Sequence, residues 1–138
     1  MSREIDGLPV AEFAFPGELR DRLVAAILRG EKTSTCTLLV DYERAGDALP
    51  EVGTRSVVVD SEEQPVAVIE TTELRVLPLG EVDLAFARDE GEGFESVADW
   101  RVAHEGFWGS RFADVAVDDD TPIVAERFRL VDVVQQQV

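Results

Sequence analysis

The segment Gly30-Glu31-Lys32-Thr33-Ser34-Thr35-Cys36-Thr37 stands out in this 138-residue sequence and decides how the chain is interpreted. It brings together one glycine, one amine, four hydroxyl groups and one thiol within eight residues. The segment lies where a predicted helix is followed by a predicted strand. At such a junction a chain exposes side chains that rigid elements hold in place. The segment is therefore the first candidate for a functional site.

Regular patterns flank the segment on both sides. Residues 18–29 predict an amphipathic helix, because Leu19, Leu23 and Ile27 recur every four residues and form one apolar stripe. The glycine that opens the segment follows this stripe, at a position where a left-handed C-terminal cap is expected. Downstream, residues 36–40 predict a short strand.

The rest of the chain predicts more strands than helices. A polar N-terminal stretch without a predicted element comes first, and the later elements are a loop at 41–54, strands at 55–60, 65–77 and 123–134, and helices at 81–90 and 96–112. Strands and helices do not alternate regularly, so a doubly wound parallel sheet is disfavoured. The pattern favours a single domain of the α+β class, with a mixed or barrel-like sheet flanked by helices.

Composition excludes several classes of protein. The chain has 29 acidic and 13 basic residues, and its net charge of −16 repels phosphate backbones. We therefore expect no DNA partner and consider RNA disfavoured. No apolar run approaches the roughly 20 residues that cross a bilayer, so no membrane partner is expected. A single cysteine, Cys36, and a single histidine, His104, form neither a disulfide nor a Cys/His zinc site, and they indicate a cytoplasmic protein.

Lys32 is the one lysine in a chain that otherwise uses twelve arginines. A desolvated lysine can lose its proton and act as a base, which arginine cannot. To do so near neutral pH, its pKa must fall from about 10.4 by roughly three units, at a cost of about 4 kcal/mol. The alternative is a structural lysine that bonds the last helix carbonyls, where the helix dipole raises the pKa. Spacing alone leaves both interpretations open.

An ordered series of motifs resembles the ASCH domain family, whose fold is PUA-like. The series begins with Gly30-x-Lys32-x-x-Thr35 and spans residues 15–130; its later pieces are Val52-Gly53, Val68-Ile69-Glu70-Thr71-Thr72, Phe86-Ala87-Arg88-Asp89-Glu90-Gly91 and Trp100-Arg101 with His104. The resemblance implies one ASCH domain over residues 1–138, with a core of about 15–134, and a PUA-like mixed β-barrel flanked by helices.

A smaller relative in that family hydrolyses 4-acetylcytidine with a lysine, a threonine and a glutamate. Carried over by motif, the resemblance implies that Lys32, Thr35 and Glu90 are catalytic. The sequence departs from that relative at Thr37, where the motif commonly has an arginine. Glu90 lies near the negative end of its predicted helix, a position that raises a carboxyl pKa toward that of a general acid.

Five further residues are candidates for substrate binding: Glu70, Trp100, Arg101, His104 and Thr37. Glu70 either orients Lys32 and Thr35 or pairs structurally with an arginine such as Arg127. His104 shares a predicted helix face with Trp100 and Trp108, and it is either a packed core residue or part of a nucleobase pocket with a stacking surface.

The leading hypothesis is an amidohydrolase that deacylates a 4-acetylcytidine-like nucleoside or a similar small heterocyclic amide. No metal ion or organic cofactor is implied, and the expected partner is a small nucleoside-like molecule. Two alternatives remain at this stage. One is a non-catalytic module that binds RNA or a modified nucleobase; the other is a ribonuclease, as in another branch of the ASCH family.

Overall fold

A six-stranded mixed sheet organises the computed structural model, which describes residues 4–111 and 114–134. The described strands are β1 (Glu4–Ile5), β2 (Leu8–Ala11), β3 (Ser34–Leu38), β4 (Arg55–Val59), β5 (Pro65–Pro78) and β6 (Pro122–Val133). Their order across the sheet is β1-β2-β4-β5-β6-β3. The β2–β4 pair is parallel and the remaining pairs are antiparallel. A mixed sheet was the expectation, and it is confirmed.

Four helices pack around this sheet within the described part of the chain. They are α1 (Glu18–Leu28), α2 (Leu39–Ala45), α3 (Leu84–Asp89) and α4 (Val97–Arg111), and a 3₁₀ turn at Leu79–Glu81 precedes α3. The Ser96 hydroxyl caps α4 by accepting a hydrogen bond from the Asp99 amide at 3.0 Å, as its sequence position predicts. Phe112, the last residue of the predicted helix, lies outside the described residues. None of the described helices is long and apolar enough to span a bilayer.

Alternate residues of β6 contribute to two separate cores. Ile123 and Ala125 pack with Trp100, Trp108 and other residues of α3, α4 and β3. Phe128 lies on the opposite face of the strand, because side chains alternate along β6. There it packs with residues of α1 and with inward-facing residues of β4 and β5. The α1 residues are Leu23, Val24 and Ile27, and the strand residues are Val58, Ala67 and Ile69. The apolar stripe predicted for α1 is therefore the face that covers the sheet.

Two parts of the predicted secondary structure are wrong. The N-terminal stretch forms β1 and β2, and β2 joins the main sheet through the parallel pairing of Val10 with Val57. Polar residues lie between the few apolar residues of this stretch, so its sequence showed no clear strand pattern. At Leu39 the chain turns into α2, where the apolar run predicted a continuing strand and then a loop. Leu39 and Val40 are half-buried on this short helix, so an apolar run of a few residues did not distinguish the two elements.

Candidate active site

A cavity of about 680 Å³ opens on the α1 face of the sheet, next to the 30–37 segment. Five of the residues proposed from the sequence line it, namely Lys32, Thr35, Thr37, Glu90 and His104. Thr35 and Thr37 project from the same face of β3 because they are two residues apart. The structure thus brings all three predicted catalytic residues to one cavity, although they come from a loop, a strand and a helix end.

The C-terminus of α3 is docked directly on the 30–37 segment. The Thr33 amide donates to the Asp89 carbonyl at 2.7 Å, and the Ser34 hydroxyl donates to the Phe86 carbonyl at 3.0 Å. Gly91 follows with φ +73°, and a Cβ at this position would lie 2.8 Å from the Glu31 carbonyl oxygen. A side chain there would separate the two segments. The glycine therefore allows the close approach that places Glu90 beside Lys32.

Lys32 is buried, with 2% of its side chain exposed. Its amine donates to the backbone carbonyls of Ser34 at 2.8 Å and Glu90 at 3.3 Å, and it lies 3.7 Å from Glu90 Oε1. The Ala26 carbonyl near the end of α1 accepts instead from the Lys32 backbone amide. The side chain is thus turned toward Glu90 and does not cap the helix. Burial lowers the pKa of Lys32, and the opposing charge of Glu90 only partly offsets this effect.

Glu90 is equally buried and is held from two sides. The indole Nε1 of Trp100 donates to Glu90 Oε2. His104 Nε2 lies 3.3 Å from Glu90 Oε1, the same oxygen that faces Lys32. Trp100 is fully buried and stacks on the His104 ring at 4.3 Å between centroids. Trp100 therefore orients both members of the Glu90–His104 pair.

The hydrogen bonds of His104 restrict where its protons can lie. Nδ1 is 2.9 Å from the Trp100 carbonyl, which can only accept, so Nδ1 carries a hydrogen. Nε2 then either donates to an ionised Glu90 or accepts from a protonated one. Burial lowers the pKa of His104, but the hydrogen bond and charge of Glu90 and the Trp100 carbonyl outweigh it, so the net pKa is raised. The lowered pKa of Lys32 thus favours its neutral form, and the raised pKa of His104 favours its protonated form.

Three of the residues proposed for substrate binding do not line the cavity. Glu70 lies on the other face of β5 and bridges Arg55 and Arg129, with N···O distances of 3.1 and 3.0 Å. The predicted structural pairing of Glu70 therefore occurs, but with these two arginines and not with Arg127. Arg101 pairs with Glu105 and Asp119. Trp100 acts behind the cavity wall, through its bond to Glu90.

Sequence reasoning missed several polar residues that line the cavity, and Tyr42, Glu92 and Glu126 are three of them. Glu92 follows Glu90 by two residues, and this spacing was the available signal. Desolvation raises the pKa of Glu92 and the Glu90 carboxylate adds to the increase, against the opposing charge of Lys32. Tyr42 and Glu126 carried no signal, because only the helical turn of α2 and the β3–β6 pairing bring them to the cavity.

Among the described residues, one cluster has the spacing of a metal site. Ligand atoms of Glu90, Glu92 and His104 all lie within 4.8 Å of one another. However, the same Glu90 oxygen faces both the Lys32 amine and His104 Nε2. A cation would have to displace these contacts and lie beside a basic amine. We therefore interpret the cluster as a set of proton-transfer groups.

Comparison with known proteins identifies relatives of this chain. The family model described as ASCH domain matches residues 11–132. The ASCH domain from Lactobacillus crispatus JV V101 superposes with a TM-score of 0.76 and 28% identity, covering 91% of this chain and 82% of that one. Protein EF3133 from Enterococcus faecalis V583 gives a TM-score of 0.74 and 30% identity, covering 81% of this chain and 68% of that one.

A more distant structure shares the fold alone. A mutant form of the ZmASCH protein from Zymomonas mobilis gives a TM-score of 0.52 at 15% identity, covering 91% of this chain and 73% of that one. A search of the curated proteins gave no match. The PUA-like α+β fold expected from the sequence is confirmed by these structural neighbours.

Proposed function

This chain belongs to the ASCH domain family, and on that premise we propose that it hydrolyses the amide of an N4-acylated cytosine nucleoside or a similar small heterocycle. One observation carries the proposal: a buried lysine lies beside a glutamate–histidine pair in a cavity of about 680 Å³. That volume lies within the range of about 300–1,000 Å³ that small-molecule sites occupy. The three groups supply a base and an acid for one reaction.

Lys32 is the proposed base. As a neutral amine it donates its two hydrogens to the carbonyls of Ser34 and Glu90 and keeps one lone pair for an incoming proton. Burial already lowers its pKa, which reduces the cost of reaching this form. A positioned base of this kind contributes about 10²–10⁴-fold to a rate.

The Glu90–His104 pair is the proposed acid. His104 binds a proton more readily than an ordinary histidine, and Glu90 shares that proton through the 3.3 Å contact. When the amide carbon–nitrogen bond breaks, the leaving exocyclic nitrogen must gain a proton. A base with a lowered pKa beside an acid with a raised pKa is a typical division of tasks in an active site.

Thr35 lines the same cavity as the proposed base and provides a hydroxyl there. In the proposed reaction, Lys32 removes a proton from water or from the Thr35 hydroxyl, and the oxygen attacks the acyl carbon. The carbon–nitrogen bond then breaks as the Glu90–His104 pair protonates nitrogen. The products are a carboxylic acid and the free amine, with one water consumed. If the Thr35 oxygen is the nucleophile, Thr35 is acylated first, and the one water consumed then releases the acyl group.

The alternative is a module that binds a modified nucleobase without catalysis. The observation in its favour is the aromatic part of the cavity wall, where Phe107 and Trp108 lie next to His104. Such rings stack on nucleobases. The net charge of −16 argues against extended RNA as the ligand, whether the protein is an amidohydrolase or a binding module.

The test is direct: purified protein is incubated with N4-acetylcytidine, and cytidine release is followed by chromatography. The wild type should release cytidine, and Lys32→Arg should not, because arginine stays charged. Arg75→Lys, an exposed exchange on β5, is the matched control and should keep full activity. Full activity in Lys32→Arg would exclude Lys32 as the base.

A panel of acylated nucleosides separates hydrolysis from binding. If the wild type binds these nucleosides but releases no product from any of them, the enzyme proposal is wrong and the binding alternative is favoured. Affinity for an RNA oligonucleotide that falls steeply as salt rises would instead identify an RNA-binding protein.

A further inference from the structure

Glu126 faces the cavity next to Thr35. The two residues are direct partners in the antiparallel pairing of β6 with β3, and both line the cavity. Directly opposed side chains project from the same face of a sheet, with Cβ atoms about 4.5–5.5 Å apart. A ligand that reaches the Thr35 hydroxyl is therefore also within reach of the Glu126 carboxyl group.

A rigid donor orients this carboxyl group. The Thr71 hydroxyl of β5 donates to Glu126 Oε2 at 2.7 Å. Thr71 is buried, and both of its backbone groups are bonded across the sheet: its amide donates to the Thr54 carbonyl at 2.9 Å, and its carbonyl accepts from Gly53 at 2.8 Å. The donor has little freedom to move, so the carboxyl plane is held in one orientation at the cavity wall.

Glu126 differs from Glu70 in its ionic surroundings. Glu70 is paired with two arginines, whereas no ion pair within residues 4–111 and 114–134 joins Glu126 to a lysine or arginine. Its neighbour Arg127 points to the opposite face, where it binds Asp89. Burial raises the pKa of Glu126, and the hydrogen bond from Thr71 only partly opposes the shift. The surroundings therefore shift the balance of Glu126 toward the uncharged carboxyl group.

Tyr42 extends the same wall. Burial is the main cause that raises the pKa of its phenol to about 12, so the hydroxyl keeps its hydrogen at neutral pH. Both Tyr42 and Glu126 line the cavity, together with Thr35 and Thr37. This wall offers hydrogen-bond donors and acceptors without a cation, in contrast to the Lys32 cluster.

We propose that Glu126 is a specificity-determining residue, which binds as an uncharged carboxyl group the adjacent hydrogen-bond acceptor and donor on the edge of an amide- or amidine-bearing heterocycle. The inference rests on the proposed function, because it assigns the group that recognises the ring of the same substrate. In an N4-acylated cytosine, the carboxyl O–H donates to ring N3, and its other oxygen accepts from the exocyclic N–H. A carboxylate would instead repel the lone pair of N3.

The exchange of one atom tests this assignment. Glutamine has the shape of an uncharged glutamate and presents one donor and one acceptor, whereas leucine presents neither. With N4-acetylcytidine as the probe, Glu126→Gln should keep its KM within about threefold, and Glu126→Leu should raise it at least about tenfold. In both variants kcat should stay within a few-fold. Glu62→Gln, an exposed carboxyl in the β4–β5 turn, is the matched control.

The pH dependence of KM provides a second readout. In the wild type, KM should rise as pH increases through the pKa of Glu126, while KM of Glu126→Gln should stay flat over the same range. The other titratable groups around the cavity are common to both proteins, so the difference between the two proteins reports the titration of Glu126. Those groups are Glu12, Arg20, Arg22, Lys32, Cys36, Asp41, Tyr42, Asp47, Glu63, Glu90, Glu92 and His104. Thr71→Val, which removes the orienting hydroxyl, should raise KM several-fold and serves if Glu126→Leu does not fold.

The outcomes separate this inference from the proposed function. A wild type that hydrolyses N4-acetylcytidine with a KM unaffected by Glu126→Leu would overturn the inference alone. An equal rise of KM in Glu126→Gln and Glu126→Leu would also overturn the inference, because it would show that the charged form of Glu126 is needed. A wild type that neither binds nor hydrolyses any acylated nucleoside would overturn both.

Discussion

Two buried cations lie near opposite ends of α1, and each has 2% of its side chain exposed. Arg20, in the first turns, donates to the carbonyls of Phe13, Ala14 and Asp60 at 3.2, 2.7 and 3.2 Å, and to Glu63 at 3.2 Å. Lys32, just beyond the C-terminal end, donates to two carbonyls and faces Glu90.

The difference lies in what surrounds each charge. The guanidinium of Arg20 has several fixed acceptors and joins the N-terminal segment to the β4–β5 turn. It is a structural cation, and arginine stays charged. Lys32 is coupled to two titratable groups, Glu90 directly and His104 through it. Equal burial therefore accompanies a set of fixed acceptors at one end of α1, whereas at the other end it lowers the pKa of an amine that lies beside Glu90.

The largest effect that would sharpen this comparison is on turnover. Lys32→Arg keeps a buried cation but cannot provide a neutral amine, so kcat for N4-acetylcytidine should fall by about 10³-fold. Steady-state kinetics measures this fall. The reverse exchange, Arg20→Lys, should change kcat by less than about threefold, since no proton transfer depends on Arg20. Equal losses in both variants would remove the distinction between the two cations.

The next effect is on stability. Arg20→Met removes the donor for three carbonyls in one buried and two partly buried hydrogen bonds and leaves Glu63 without this partner, so the free energy of unfolding should fall by about 3 kcal/mol. Urea denaturation measures the change. The Lys32→Arg exchange keeps a cation near the same acceptors, so it should lower the free energy of unfolding clearly less. A fall below about 1 kcal/mol in Arg20→Met would contradict a structural function for this side chain.

A smaller effect is expected from the residue that orients Glu90. Trp100→Phe keeps an aromatic ring but removes the indole N–H that donates to Glu90 Oε2. We expect kcat to fall about tenfold with KM nearly unchanged, because Trp100 does not line the cavity and acts on Glu90. Trp108→Phe is the matched control, as Trp108 lines the cavity and should affect KM instead. An unchanged kcat in Trp100→Phe would show that this hydrogen bond is not needed for catalysis.

The smallest effect concerns pH and stability. The pKa of His104 is raised in the folded protein, so its protonated form stabilises the fold fully below the unfolded pKa of about 6.5. This stabilisation is lost as pH rises through the folded pKa. Wild type should therefore exceed His104→Gln in unfolding free energy by about 1 kcal/mol more at pH 5.5 than at pH 9.

Urea denaturation at the two pH values compares the two proteins. Lys32 has the opposite dependence: its lowered pKa means that stability is reduced at low pH and rises as pH increases from the folded to the unfolded pKa. The His104 comparison removes this contribution, because both proteins contain Lys32. A difference that grows toward alkaline pH would contradict the assigned direction for His104.

Much of the local structure was predictable from neighbouring residues. The four-residue spacing in α1, the glycine after it, the Ser96 cap of α4 and the β-branched residues of β5 are local signals, and each predicted element is present. The weak N-terminal strands and α2 were not predicted, because their identity depends on packing against distant parts of the sheet.

The sequence by itself determined the family, the α+β class and the singular position of Lys32 among twelve arginines, because motif order and composition are properties of the chain alone. Tertiary structure decided which groups act on one another. The docking of Gly91 against Glu31 places Glu90 beside Lys32, and the β3–β6 register brings Glu126 to Thr35. The same packing places Glu70 and Arg101 in ion pairs outside the cavity. Proximity and burial determine these contacts and pKa shifts, and both arise only when distant segments pack together.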